Sequence, residues 1–123
     1  MKILVVDDSR VMRQIVIRTL RQSGHAGHDI VEAENGREGL EAVQREAPDL
    51  VLSDWNMPEM SGIDFLTTLR ASGGTVPFGF VTSEGSAAMR AQAEAAGAAF
   101  LIAKPFTPEV FDEALGAVLG AST

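Results

Sequence analysis

Leu50-Val51-Leu52-Ser53-Asp54-Trp55-Asn56-Met57-Pro58 decides how the rest of the chain is read. The apolar run 50–52 reads as a buried strand, and the strand ends at a carboxylate, Asp54. Turn chemistry follows at once in Asn56, Pro58, Ser61 and Gly62. In an open parallel α/β sheet, an acid at the end of a strand sits on the carboxyl edge, where ligands and chemistry collect. One acid there means little. The reading depends on whether other segments bring matching groups to the same edge.

Outward from that stretch the chain alternates between two periodicities. Residues 3–6 form a short β-branched and leucine run, a buried strand that stops at Asp7-Asp8-Ser9. Val11, Met12, Ile15, Val16, Thr19 and Leu20 then recur at helical spacing, with Arg and Gln residues covering the other face. Ser23-Gly24 is expected to end that helix, with Gly24 as its cap, and 24–28 is read as a loop. A modest second strand spans 30–33. Asn35-Gly36 turns into a helix over 37–46 whose apolar face is Leu40, Val43 and Ala47, and Pro48-Asp49 breaks it. After the central strand, 50–53, a third helix covers 63–70 with Phe65, Leu66 and Leu69 inward, and 71–75 connects. A fourth strand is expected at 77–81, just before Thr82-Ser83. An alanine-rich helix spans 86–96 and ends at Gly97. The fifth strand, 100–103, ends at Lys104-Pro105. The last helix, 108–119, carries Val110, Phe111, Leu115, Val118 and Leu119 on its apolar side. Five strands alternating with five helices predict an α/β fold, a parallel sheet covered on both faces.

Composition bounds the function. A chain of 123 residues suits one domain with one core, and 46% hydrophobic residues exclude a disordered tail. The net charge of −7 disfavours nucleic acid as a partner and favours cations or basic protein patches. There is no cysteine, hence no disulfide framework, thiolate nucleophile or Cys-based zinc site. No signal peptide and no membrane span is read, so a cytoplasmic protein is expected.

The strand ends supply the chemistry. The first gives Asp7 and Asp8, the third Asp54, the fourth Thr82 and the fifth Lys104. The second gives Glu34, expected to be peripheral. Two unit charges ~4 Å apart repel by ~4 kcal/mol at an effective dielectric of 20. Three converging acids therefore need either a proton or a cation, and hard oxygen ligands with room for water suit Mg²⁺. A carboxylate surrounded by a cation, an ammonium and a hydroxyl is equipped to hold phosphoryl oxygens and to accept a phosphoryl group itself.

This constellation resembles the receiver domain of two-component response regulators, and the run from Ser53 to Gly62 is especially similar to single-domain, CheY-like chemotaxis regulators. The likeness covers the whole chain. Val5-Val6-Asp7-Asp8-Ser9, Thr82-Ser83-Glu84 and Lys104-Pro105-Phe106 stand in the family's order and spacing. The fold implied is a flavodoxin-like, doubly wound five-stranded parallel sheet of order 2-1-3-4-5. Asp54 would be the phosphoacceptor, phosphorylated by a histidine kinase. Asp8 and Asp54 would bind Mg²⁺ with the backbone carbonyl of Asn56, and Asp7 would assist through water or a hydrogen bond. Lys104 would pair with the phosphoryl group, Thr82 would hydrogen-bond it, and the Lys104-Pro105 peptide would be cis. The resemblance implies a monomeric single receiver domain over 1–123, which catalyses its own phosphorylation and slow dephosphorylation without being a conventional enzyme. Only Gly120-Ala121-Ser122-Thr123 follows the last helix, so no DNA-binding output domain is expected. The downstream partner would be a signalling protein such as a flagellar motor switch or a phosphatase. Family members often couple the threonine to an aromatic residue three positions before the lysine. That position is Leu101 here, with Phe100 one residue earlier. Leu101 is expected to take the switch position, leaving signalling to depend more on the loop and the fourth helix.

Blander readings compete for each feature. Asp7-Asp8 alone could serve as a helix cap and first-turn acid. Lys104 and Thr82 alone could be a solvated lysine and a turn cap, and the combination argues otherwise. His25 and His28 read as surface-loop residues. Trp55 reads as a loop residue beside the site rather than core. The alanine-rich helix is either a good helix former or a shallow docking face. Two other functions compete: a phosphorelay intermediate or phosphate sink, and a Mg²⁺-dependent phosphohydrolase. Such hydrolases commonly carry a second acid two residues after the nucleophile. Asn56 stands there and offers no proton transfer, which disfavours rapid turnover.

Overall fold

The computed structural model describes residues 2–25 and 27–119, so readings that fall on Met1, Ala26 and the 120–123 tail lie outside the described residues, as do the side chains of Gly24, His25 and Leu119. Five strands are present: β1 (Lys2–Val6), β2 (Asp29–Ala33), β3 (Leu50–Ser53), β4 (Phe78–Thr82) and β5 (Phe100–Ala103). Every pairing is parallel and the order is β2-β1-β3-β4-β5, as expected. The helices are α1 (Arg10–Leu20), α2 (Gly36–Glu46), α3 (Gly62–Ala71), α4 (Ala87–Ala95) and α5 (Pro108–Leu119). Among the described residues no helix is long and apolar enough to cross a membrane.

Right-handed crossovers dictate which face each helix covers. The chain steps from β1 outward to β2 and then back past β1 to β3, so α1 must lie on the face opposite α2. α3 and α4 continue in the direction of α2. The two halves of the core follow that division. Leu4, Val6, Val51, Phe78, Phe80 and Leu101 pack with Phe65, Leu66 and Leu69 of α3 and Ala42 of α2 on one face. Ile3, Val5, Leu50, Leu52, Val81 and Ile102 pack with Val16, Ile17 and Leu20 of α1 and Phe111 and Leu115 of α5 on the other. The reversal falls between β1 and β3, the switch point at which such sheets open a crevice.

Each helix starts abruptly because a side-chain cap waits for it. Ser9, Asn35, Ser61, Ser86 and Thr107 accept the amides of Met12, Glu38, Asp64, Met89 and Val110 at 2.9–3.3 Å. Each cap stabilises by about 1 kcal/mol.

The structure departs from the periodicity reading in several places. In α1, Val11 is 69% exposed and Arg13 is buried; the inward face is Arg13, Val16, Ile17 and Leu20. The first turn stands over the sheet edge, where the inward position meets the Asp7 carbonyl just past β1, so a donor belongs there. Gly24 does not end the helix, which continues as a π-helical turn over Arg21–His25. Ser23 donates its hydroxyl to the Leu20 carbonyl at 2.8 Å, a back-bond that distorts a helix without stopping it. In α2 the buried positions are Gly36, Gly39 and Ala42, while Ala47 is the exposed left-handed cap with φ 47°. Leu40 and Val43 are only partly buried against the core. β4 runs one residue later than expected, because Thr82 still pairs with Ala103. Val110 is 41% exposed, whereas Phe111 and Leu115 are core.

Candidate functional site

The carboxyl edge is levelled by the sheet itself. The residue after β1, β3 and β5 donates its N–H to the last carbonyl of a neighbouring strand: Asp7 to Ala33 at 3.1 Å, Asp54 to Val6 at 2.9 Å and Lys104 to Thr82 at 2.7 Å. One more rung of hydrogen bonds therefore brings residues 7, 54 and 104 onto a single edge, although nearly a hundred positions of chain separate the first from the last.

Carboxylate oxygens of Asp7, Asp8 and Asp54 lie within 4.8 Å of one another. Asp7 is buried, Asp54 half-buried and Asp8 exposed. Burial pushes the Asp7 carboxyl up to about 6, against the Ser9 N–H that donates to its Oδ1 at 2.9 Å; Asp54 adds a further upward push and Lys104 opposes it. Burial likewise raises Asp54, opposed by Lys104 and by the Trp55 N–H that donates to Oδ1 at 2.8 Å. Lys104 Nζ approaches Asp7 Oδ2 at 4.0 Å, and the Lys104-Pro105 peptide is cis. Three hard oxygen donors within a few ångströms, two of them held above their ordinary range by burial, fit a small divalent cation. Glu34 is exposed and stands outside this cluster.

Thr82 is fully buried at the end of β4. Its Oγ1 accepts the Glu84 N–H at 3.3 Å, and its own proton remains a donor. Alternation along β4 places Thr82 on the face of Phe78 and Phe80, and Leu101 belongs to that face too. Phe100 packs on the opposite face, its ring lying over Gly79, where a Cβ would collide with it. Of the two candidates, Leu101 is therefore the one on the face of Thr82; the register sets it across from Phe80, one pair before Thr82 and Ala103.

Trp55 stands in the loop after β3, as expected, but its side chain is core. It is 9% exposed and its ring lies 4.7 Å from that of Phe80. Asn56 is exposed directly after it.

One residue that reads only as turn chemistry in the sequence is part of the site's frame. Gly62 opens α3 and donates its N–H to the Trp55 carbonyl at 2.7 Å, and a Cβ there would collide with the Asp54 carbonyl oxygen. Its signal was only a glycine eight positions after the acid.

The Asp7 shift makes a prediction about the metal-free protein. A carboxyl with a raised folded value stabilises the fold below its ordinary value of 3.8, and that contribution is lost as pH rises through about 6. Asp7→Asn should thus stabilise the metal-free chain at pH 7.5 by up to about 3 kcal/mol. The gain should shrink towards zero near pH 4. Urea unfolding in chelator at both pH values measures it, and an equal gain at both would contradict the assignment.

Comparison with known proteins gives the same picture. The response regulator receiver domain family matches residues 3–116. The chain is 44% identical to the chemotaxis protein CheY1 of Helicobacter pylori, covering 99% of both chains. It is 42% identical to the CheY homolog of Campylobacter jejuni, covering 100% of this chain and 95% of the relative. Among solved structures, chemotaxis protein CheY4 of Vibrio cholerae, 36% identical, superposes with a TM-score of 0.84 over 95% of this chain and 97% of that one.

Proposed function

From the premise that the chain belongs to the response regulator receiver domain family, in its CheY-like chemotaxis branch, we propose that Asp54 accepts a phosphoryl group from a histidine kinase. The observation that carries this reading is the convergence of Asp7, Asp8, Asp54 and Lys104 at one sheet edge. It is a signalling protein rather than a conventional enzyme.

A carboxylate oxygen of Asp54 forms the new P–O bond as the donor's P–N bond breaks, and the imidazole leaves with the electron pair. Asp8 and Asp54, with the Asn56 backbone carbonyl, would hold Mg²⁺, and Asp7 would support it. Bound there, the ion supplies neutralisation of the phosphoryl oxygens. Lys104 adds a second positive charge and opposes the rise that burial gives the Asp54 carboxyl.

The readout begins at Thr82. One hydrogen bond to a charged group contributes ~1.5–3 kcal/mol, whereas moving an equilibrium from 1:99 to 99:1 needs ~5.5 kcal/mol. Thr82 must act together with Lys104 and the β4–α4 loop. With Leu101 beside it, the response runs through that loop and α4 rather than through an aromatic side chain. A cytoplasmic partner such as a flagellar motor switch protein would read the changed surface. The near-full-length likeness to chemotaxis proteins favours this over a phosphate sink.

Incubation with a small acyl phosphate tests the proposal. Intact mass should rise by one phosphoryl group in Mg²⁺ and stay unchanged in chelator. A wild-type chain that remains unmodified with Mg²⁺ present would count against it.

A further inference from the structure

Arg13 is the most deeply buried cation among the described residues for which exposure is stated, at 7%. It sits at the inward position of the first full turn of α1, where the helix pattern favours an apolar side chain. Burying a guanidinium is unfavourable unless its donors are engaged. Here they are. Nη1 donates to the backbone carbonyl of Asp7 at 2.7 Å, and Nε donates to Glu32 Oε1 on β2 at 2.9 Å. Gln14 donates to the same Glu32 oxygen at 3.3 Å, which steadies it.

The Asp7 carbonyl is one end of the peptide unit that joins Asp7 to Asp8. The preceding peptide is fixed by the Asp7 N–H on Ala33, and the following turn by the Ser9 N–H on Asp7 Oδ1. Ser9 is in turn tied to α1, because its carbonyl accepts the Arg13 N–H at 3.0 Å. Between these anchors, the 7–8 peptide has the Arg13 guanidinium as its constraint. Its rotation would swing Asp8 away from Asp54. A planar fork reaches two acceptors in different directions at once, which an ammonium does less well.

We propose that Arg13 is a positioning residue for the acid pair: by clamping the Asp7 carbonyl against β2 through Glu32, it sets the direction of the Asp7-Asp8 peptide and thereby the cation affinity of the site. This rests on the reading of the acid cluster as a Mg²⁺ site. Groups that orient metal ligands without touching the metal typically change affinity 10–100-fold when lost.

The test is Arg13→Met, which keeps the length and removes the donors, with Arg13→Lys and Glu32→Gln as milder variants and Leu115→Ala as a control destabilised far from the loop. Calorimetric titration with Mg²⁺ should show affinity about tenfold or more weaker in Arg13→Met, partial recovery in Arg13→Lys, a few-fold loss in Glu32→Gln and none in Leu115→Ala. In the metal-free proteins, amide exchange of Asp8 should quicken in Arg13→Met and not in the control. Phosphorylation by acyl phosphate should need more Mg²⁺ but reach the wild-type rate at saturation. Should Arg13→Met fail to fold, Arg13→Lys and Glu32→Gln decide on the same titration. Wild-type-like Mg²⁺ affinity in the folded variants, or an equal loss in Leu115→Ala, overturns the positioning role. A wild-type chain that binds no Mg²⁺ instead overturns the reading of the cluster itself.

Discussion

Asp54→Asn is expected to take up no phosphoryl group from an acyl phosphate while folding at least as stably as the parent chain. The amide is nearly the same shape. Its oxygen can still accept the Trp55 N–H that now meets Oδ1 at 2.8 Å, so the end of β3 should not move. What disappears is the nucleophile, because an amide oxygen at neutral pH does not displace a leaving group from phosphorus. Stability should shift the other way. Burial raises the Asp54 carboxyl above its ordinary value, so its ionised form opposes folding at pH 7, and a neutral replacement relieves that. The sign is fixed by linkage: the relief is present at neutral pH and fades as pH falls from the raised value of the folded state towards the ordinary carboxylate value, where it vanishes. Intact mass and urea unfolding of one preparation measure both halves. Phosphoryl addition at the wild-type rate would assign the acceptor elsewhere in the cluster.

Gly62→Ala should be among the most damaging single-methyl changes in the molecule. A Cβ at 62 would overlap the Asp54 carbonyl oxygen and press on the Phe80 ring at 2.9 Å and the Trp55 Cα at 3.0 Å. Two of those three obstacles are backbone, and the Phe80 ring is fully buried, so no flexible side-chain end can yield. The Gly62 N–H bond to Trp55 holds the two segments at this spacing. Overpacking of this kind costs about 3 kcal/mol or more, a fall in melting temperature of roughly 10 °C. Because the displaced atom belongs to Asp54, Mg²⁺ affinity should fall with it. Gly27→Ala is the matched control, since nothing lies within 4 Å of its added carbon. Melting of Gly62→Ala within a degree or two of the parent would refute the close approach.

The alternation of strands and helices was legible because both periodicities are clean in this chain, and parallel topology followed from it. The site was legible because its residues end strands, and a strand end is marked by an abrupt change from apolar to polar. What escaped lies where polarity and burial part company. Arg13 reads as solvent-facing on any hydrophobicity scale, yet it is buried because the Asp7 carbonyl and the Glu32 carboxylate wait for its donors at the sheet edge. Gly36 reads as part of a turn, and no pattern marks Gly39. They are buried because Met60 and the Phe65 ring occupy the space their side chains would fill. Trp55 follows an acid in a turn-rich stretch, which suggests a loop, but the ring folds back onto Phe80. Whether Leu101 or Phe100 stands behind Thr82 required the register of β5 against β4, which no single-strand pattern contains.

The Trp55 contacts have an optical consequence. The chain contains one tryptophan and no tyrosine, so indole emission originates wholly from Trp55, the residue covalently next to the proposed acceptor Asp54 and bonded to its carboxylate through its own backbone amide. Charge arriving at Asp54 changes the field across that indole directly. The molecule thus carries its own unlabelled meter of site occupancy, with no second fluorophore to dilute the signal.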